Sequence, residues 1–70
     1  MFNIAAALAD LRGQYDFDQL QDILRQIRRE HLAEISPEVG INELFQLAKQ
    51  RNLIREDEAG NFHITVDQAA

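Results

Sequence analysis

The side chains that could carry out chemistry are few in this sequence, and they lie far apart. The chain has one serine, one threonine, one lysine, two histidines and no cysteine. Ser36 precedes Pro37, so we interpret Ser36 as the cap of a helix and not as a nucleophile. The sequence contains no Gly-rich phosphate loop and no nucleophile motif. We therefore expect no catalytic residue and a protein that is not an enzyme.

The histidines and acidic residues do not follow a metal-binding pattern. His31 falls on the apolar stripe of a predicted helix, and His63 on the outer side of a predicted strand. A zinc site needs three or four ligands at recurring spacings, and no such spacing is present. Close acidic pairs are plentiful but surround predicted caps and turns, as Asp16 with Asp18 and Glu56 with Glu58 do. We expect neither a metal ion nor a cofactor.

The charge balance opposes binding to polyanions. Lys and Arg number 7 against 12 Asp and Glu, which gives a formal net charge of −5. Such a charge disfavours nucleic acid and anionic membranes as partners. The apolar start lacks a basic leading region and is interrupted by Asp10, so we interpret it as a helix and not as a signal peptide. We expect a cytoplasmic protein without membrane association.

The length limits the hydrophobic core. A chain of 70 residues forms one domain. A domain of this size buries only about 60% of the surface that its unfolded chain exposes, so its net stability is small. We therefore expect a protein partner or a homodimer, because either would bury additional surface.

Apolar periodicity predicts a first helix over about residues 4–12. Asn3 is a suitable N-cap, and Gly13 can end the helix in a left-handed conformation. Ile4, Leu8 and Leu11 share one face. We interpret this segment as a packing helix, the alternative being a membrane anchor.

A second helix is predicted over about residues 17–33. Asp16 and Gln19 form a capping box at its start. At about 100° per residue, one stripe of this helix is apolar and faces inward: Phe17, Leu20, Ile23, Leu24, Ile27 and His31. The arginines of residues 25–30 have two interpretations. The simpler one is that they offset the negative end of the helix dipole, and the alternative is a phosphate-contacting patch.

A third helix is predicted over about residues 37–51, followed by a β-hairpin over about 53–66. The Ser36-Pro37 pair is a start signal, although Gly40 leaves open a start at Ile41. Asn52 is suited to the left-handed end of the helix. Gly60 and Asn61 supply the turn of the hairpin, whose second strand alternates apolar and polar residues. We expect residues 67–70 to be a frayed tail.

The stretch that starts at Ser36 and ends at Ile54 resembles the recognition helix of the winged helix-turn-helix superfamily. In that superfamily a small-residue turn precedes a Val or Ile, apolar positions follow four and seven residues later, and Gly-Leu-Ile ends the helix. The matching positions in this chain are Ile41, Phe45, Ala48 and Asn52-Leu53-Ile54. The resemblance implies a mainly α (α+β) fold. It would be a three-helix winged-helix-like domain over residues 1–70, with a C-terminal two-stranded β-hairpin as the wing.

The resemblance also implies which residues would contact DNA. In DNA-binding members, the residues after the Val or Ile face the major groove. The corresponding candidates in the third helix and the wing are Asn42, Gln46, Lys49, Arg51 and Arg55. Acidic residues depart from this pattern, because they would repel phosphate: Glu43 on the helix, and Glu56, Asp57 and Glu58 on the wing.

Two functions remain, and the sequence favours a small acidic protein-interaction module without catalytic activity. It would act as an adaptor, a dimerising subunit or an inhibitor. Ile41, Phe45 and Ala48 form the predicted inward stripe of the third helix. Leu44 and Leu47 lie about 50° and 110° from the centre of this stripe. Leu47 is then either covered by the first helix or part of an exposed apolar patch. The predicted partner-binding residues are Leu44, Leu47, Glu43, Glu56, Asp57 and Glu58. The alternative is a small DNA-binding transcriptional regulator that reads DNA through the third helix.

Overall fold

This computed structural model describes residues 2–66, which form three helices and three short strands. The elements are α1 (Ile4–Ala9), β1 (Gly13–Tyr15), α2 (Phe17–Glu30), α3 (Ile41–Gln50), β2 (Ile54–Glu56) and β3 (Phe62–Ile64). β3 is the central strand and pairs antiparallel with both β1 and β2. Among the described residues, none of the helices is long and apolar enough to cross a membrane.

The predicted fold, with its C-terminal two-stranded hairpin as the wing, is wrong. Within residues 2–66 the sheet has three strands, which are spread through the sequence, and these residues form a small α+β fold. The segment between α1 and α2 forms β1, whose Gly13 lies opposite Ile64 and whose Tyr15 lies opposite Phe62. Gly13 has a φ of 152°, which L side chains rarely adopt, and is the first residue of this strand. Three residues are too few for alternation to show in a sequence.

The helix starts of α1 and α2 are confirmed, but both helices end earlier than predicted. The Asn3 side chain accepts a hydrogen bond from the Ala6 amide at 3.2 Å. Asp16 and Gln19 form the predicted capping box, with bonds of 2.8 and 2.9 Å. α1 ends at Ala9, and α2 ends at Glu30. Turns replace their predicted last residues.

α3 begins at Ile41, the later of the two predicted starts. Ser36 and Pro37 start a separate turn, in which the Val39 amide donates to the Ser36 carbonyl at 2.9 Å. Gly40 is the N-cap of α3 and makes no side-chain capping bond. At the other end, Asn52 has the predicted positive φ, at 59°. The Leu53 amide then closes the helix by donating to the Ala48 carbonyl at 2.9 Å.

The core lies between the helices and the inner face of the sheet. The side chains of Phe62, Ile64 and Val66 are buried as predicted, and Thr65 is exposed. On α3 the buried residues are Leu44 and Ala48, because this helix packs against α1, α2 and β2. The predicted inward stripe of α3 is therefore rotated from the observed one. Ile41 and Phe45 lie at the margin of the core and are only partly buried. Residues 67–70, the predicted tail, lie outside the described residues.

Candidate functional site

The outward side of α3 borders an open groove of about 410 Å³, which we call the α3 groove. It is lined by Val39, Asn42, Glu43, Gln46, Leu47 and Gln50. Positions one helical turn apart share a face, so the last five of these residues lie along one side of the helix. Val39 and Leu47 are partly buried and form an apolar floor. Glu43 is the only charged residue in the lining.

The structure divides the predicted partner-binding residues of α3. Glu43 and Leu47 both line the α3 groove. Leu44 does not, because its side chain is only 1% exposed and packs in the hydrophobic core. The prediction that Leu44 contacts a partner is therefore corrected: this residue holds α3 in place and offers a partner no surface. Leu47 is the apolar residue of α3 that lines this groove.

Asp57 organises the hairpin turn. One carboxylate oxygen accepts hydrogen bonds from the Ala59 and Asn61 amides, both at 2.9 Å. The other lies 2.8 Å from Nε2 of His63. The hydrogen bond with His63, followed by those from the turn amides, holds the pKa of Asp57 below its ordinary value. Asp57 thus fixes the turn, whereas Glu56 and Glu58 are exposed and supply its outward negative charge.

The residues predicted to contact DNA are only partly brought together. Asn42 and Gln46 lie one turn apart in the α3 groove. Nζ of Lys49 lies 5.3 Å from the centre of the Phe45 ring. Arg51 is the C-cap of α3, and Arg55 lies on β2 opposite His63. The three cationic side chains therefore lie outside the α3 groove.

An aromatic cluster joins the start of α2 to α3 and the sheet, and the sequence did not predict it. The Phe45 ring lies 5.5 Å from Phe62 and 6.3 Å from Phe17, measured between ring centres. Phe17 is 51% exposed, although it belongs to the stripe predicted to face inward. The signal in the sequence was the position of Phe17, which directly follows the N-cap Asp16 at the end of the apolar stripe.

A second open groove, of about 370 Å³, lies beside the end of α2. We call it the arginine groove, and it is lined by Arg25, Arg28, Arg29, Leu32 and Ile41. Leu32 is 56% exposed, the most exposed large apolar side chain among residues 2–66. Nε of Arg28 donates to the Val39 carbonyl at 2.9 Å. Nη1 of Arg25 donates to Asp22 at 2.9 Å, the pairing expected three residues apart on a helix.

Comparison with known proteins does not place this chain in a family. It matches no protein-family model, no curated protein and no solved structure. Within residues 2–66, no group of three or more His, Asp or Glu side chains is arranged to hold a metal ion. A function is therefore inferred from the surface of the described residues, to which the α3 groove and the arginine groove belong.

Proposed function

We propose that this chain is a small protein-interaction module without catalytic activity, serving as an adaptor, a dimerising subunit or an inhibitor. The α3 groove is its binding surface. The observation that carries this proposal is the combination of an apolar floor, formed by Val39 and Leu47, with a rim whose one charged group is Glu43. Protein interfaces pair an apolar centre with a polar rim in the same way.

The lining of the α3 groove defines the chemistry of the partner. An apolar ridge on the partner would cover Leu47 and remove it from water. The amides of Asn42, Gln46 and Gln50 can each donate and accept hydrogen bonds at the rim. Glu43, together with a net charge of −5, favours a partner that carries lysine or arginine beside its apolar ridge. Glu56 and Glu58 extend this preference to the hairpin.

The second candidate function is DNA binding through α3, which would make the protein a transcriptional regulator. It is favoured by the exposed amides of Asn42 and Gln46, since a side-chain amide can bond both edge atoms of adenine. The resemblance of this stretch to a winged helix-turn-helix recognition helix stays a prediction and gives support by analogy only. Glu43 weighs against it, because its carboxylate lies between the two amides along the helix and repels phosphate.

A titration with fluorescently labelled duplex DNA at low salt separates the two candidates. A DNA-binding domain has a non-specific Kd of roughly 10⁻⁴ to 10⁻⁶ M that weakens steeply with salt. We expect no such binding by this chain. Salt-sensitive binding that Lys49→Ala or Arg51→Ala weakens would overturn the proposal and favour the regulator.

A model peptide tests the groove directly. The probe is a labelled helical peptide in which leucines one turn apart are flanked by lysines. We expect it to bind, and Leu47→Glu to abolish the binding. The matched control is Leu32→Glu, which makes the same chemical change in the arginine groove and should leave this peptide bound. Sedimentation of the unliganded protein tests the dimerising form, since self-association that Leu47→Glu abolishes would identify the partner as a second copy.

A further inference from the structure

We infer that the arginine groove is a second binding site, which takes an acidic amphipathic segment of a protein partner. Such a segment would place carboxylates on Arg25 and Arg29 and an apolar side chain on Leu32 and Ile41. This site does not depend on the function proposed for the α3 groove, because the two grooves have no lining residue in common. The chain would then bind two partners of opposite charge.

The positive charge in this groove is local and concentrated. Three of the chain's 7 lysines and arginines lie within five consecutive positions of α2 and line one groove. Arg25 and Arg29 are exposed and one turn apart, so both guanidinium groups lie on the same side of the helix. A guanidinium group binds a carboxylate through two parallel hydrogen bonds, which makes arginine well suited to recognise acidic side chains.

Arg28 has a different role from its two neighbours. Its side chain is partly buried, and Nε donates to the Val39 carbonyl at 2.9 Å. This bond connects α2 to the segment that precedes α3 and so holds one wall of the groove in place. Arg25 is bonded to Asp22, but its side chain is 56% exposed and that of Asp22 is 77% exposed. An exposed pair of this kind contributes little to stability. Arg25 can therefore exchange Asp22 for a carboxylate of the partner.

The apolar part of the groove indicates an amphipathic ligand and not a simple anion. Leu32 is 56% exposed beside the arginines, and the partly buried Ile41 continues the apolar surface. Inorganic phosphate would neutralise the arginines but would leave Leu32 in water. A segment that carries leucine or phenylalanine between two acidic residues would satisfy both parts of the groove, since its apolar side chain would cover Leu32.

The surroundings of the groove disfavour a long polyanion. Asp22 and Glu30 are exposed and flank the arginines on α2. The chain as a whole carries a net charge of −5. Duplex DNA or an anionic membrane would extend beyond the groove and meet this negative charge, whereas a short acidic segment fits within the groove. The arrangement therefore favours a peptide over a nucleic acid or a lipid surface.

Fluorescence anisotropy with a labelled acidic peptide tests this inference. The probe repeats the unit Glu-Leu-Ala-Ala, and the reference peptide has glutamine in place of each glutamate. We expect the acidic probe to bind and the reference to bind at least about tenfold more weakly, since charged contacts across an interface set its specificity. The double variant Arg25→Gln/Arg29→Gln should weaken the acidic probe by a similar factor. Leu32→Ser should weaken both peptides, because it removes only the apolar contact.

The matched control is the double variant Arg51→Gln/Arg55→Gln. It also removes two positive charges, but from exposed positions outside the groove. We expect it to change the affinity for the acidic probe by no more than about twofold. Circular dichroism of each variant confirms that it is folded. Equal losses in the two double variants would show attraction by overall charge and overturn the site. Absence of binding by the acidic probe would also overturn it. The inference would also be overturned if labelled duplex DNA or phosphatidylglycerol vesicles bound more tightly than the acidic probe and lost this binding in Arg25→Gln/Arg29→Gln.

Discussion

The two grooves that border α3 are alike in their apolar part and opposite in charge. Leu32 and Ile41 in the arginine groove correspond to Val39 and Leu47 in the α3 groove. Arginine supplies all the charge in the first, and Glu43 supplies it in the second. They are neighbours, because Arg28 of one is bonded to Val39 of the other. Two apolar surfaces on one small domain can thus select different partners through the sign of the surrounding charge.

This comparison shows how little the net charge describes a particular surface. A formal charge of −5 disfavours phosphate near the α3 groove, where Glu43 has the same sign. The same net charge does not show that three arginines line the groove around Leu32. Electrostatic attraction is screened within about 8–10 Å at physiological salt. A partner therefore responds mainly to the charged groups that lie nearest to it.

The largest expected effect distinguishes core from groove on α3. Leu44→Ala should lower the free energy of unfolding by about 2–5 kcal/mol, because it leaves a cavity in the core. Leu47→Ala should lower the free energy of unfolding by only about 1 kcal/mol, since Leu47 is partly exposed. Urea denaturation of the two variants measures both values. Equal losses would show that Leu47 is also a core residue, and the α3 groove would lose its apolar floor.

The next effect concerns the bond that links the grooves. Arg28→Gln removes the donor to the Val39 carbonyl, and we expect a loss of about 1–3 kcal/mol, typical of a hydrogen bond from a charged group. Arg29→Gln is the control. It removes the adjacent, exposed arginine and should change stability by less than about 0.5 kcal/mol. If thermal denaturation showed no difference between the two variants, the bond from Arg28 would not hold the segment that precedes α3 in place.

A smaller effect, on binding affinity, is expected when the charge in the α3 groove is reversed. Glu43→Lys replaces its one negative charge with a positive one, so we expect this variant to gain weak, salt-sensitive affinity for duplex DNA. The basic helical peptide should bind it several-fold more weakly. Anisotropy at low salt measures both ligands. If neither affinity changed, the charge of Glu43 would have no influence on which ligand binds in the α3 groove, and the proposed selection by charge would be contradicted.

The smallest effect distinguishes the carboxylates of the hairpin. The lowered pKa of Asp57 means that its stabilisation is present above the ordinary value of 3.8 and is lost as the pH falls through the folded value. Asp57→Asn should therefore have a lower melting temperature than the wild type at neutral pH. The difference between the two melting temperatures should become smaller in acid. Glu58→Gln, at the exposed tip, serves as the control and should follow the wild type across the same pH range. A constant difference for Asp57→Asn would contradict the role of its charge.

Local features of the fold were predictable from the sequence. The capping box at Asp16, the left-handed end of α3 at Asn52 and the alternation of β3 each depend on residues within a few positions of one another. β1 was missed because its three residues show no pattern, and its partner strand lies near the other end of the chain. Ser36-Pro37 was misread as a helix start because the same residues also favour a turn.

The candidate surfaces were only partly predictable. Leu47 was identified from its angular position and Glu43 from its place in the stretch that resembles a recognition helix. The burial of Leu44 depends on how α3 packs against α1, α2 and β2. The arginines were noticed as a cluster, whereas Leu32 was not. Its exposure follows from the early end of α2 at Glu30, which places Leu32 in a turn beside Ile41. Helical spacing alone cannot bring those two residues together.

The most direct test of the account is to map both model peptides on the same ¹⁵N-labelled protein by NMR. The two proposals together assign the acidic partner to the arginine groove and the basic partner to the α3 groove. We predict that the acidic peptide shifts the amide signals of residues 25–32 and Ile41, that the basic peptide shifts those of residues 42–50, and that each binds in the presence of the other. Perturbation of the same residues by both peptides, or of neither groove, would contradict the account.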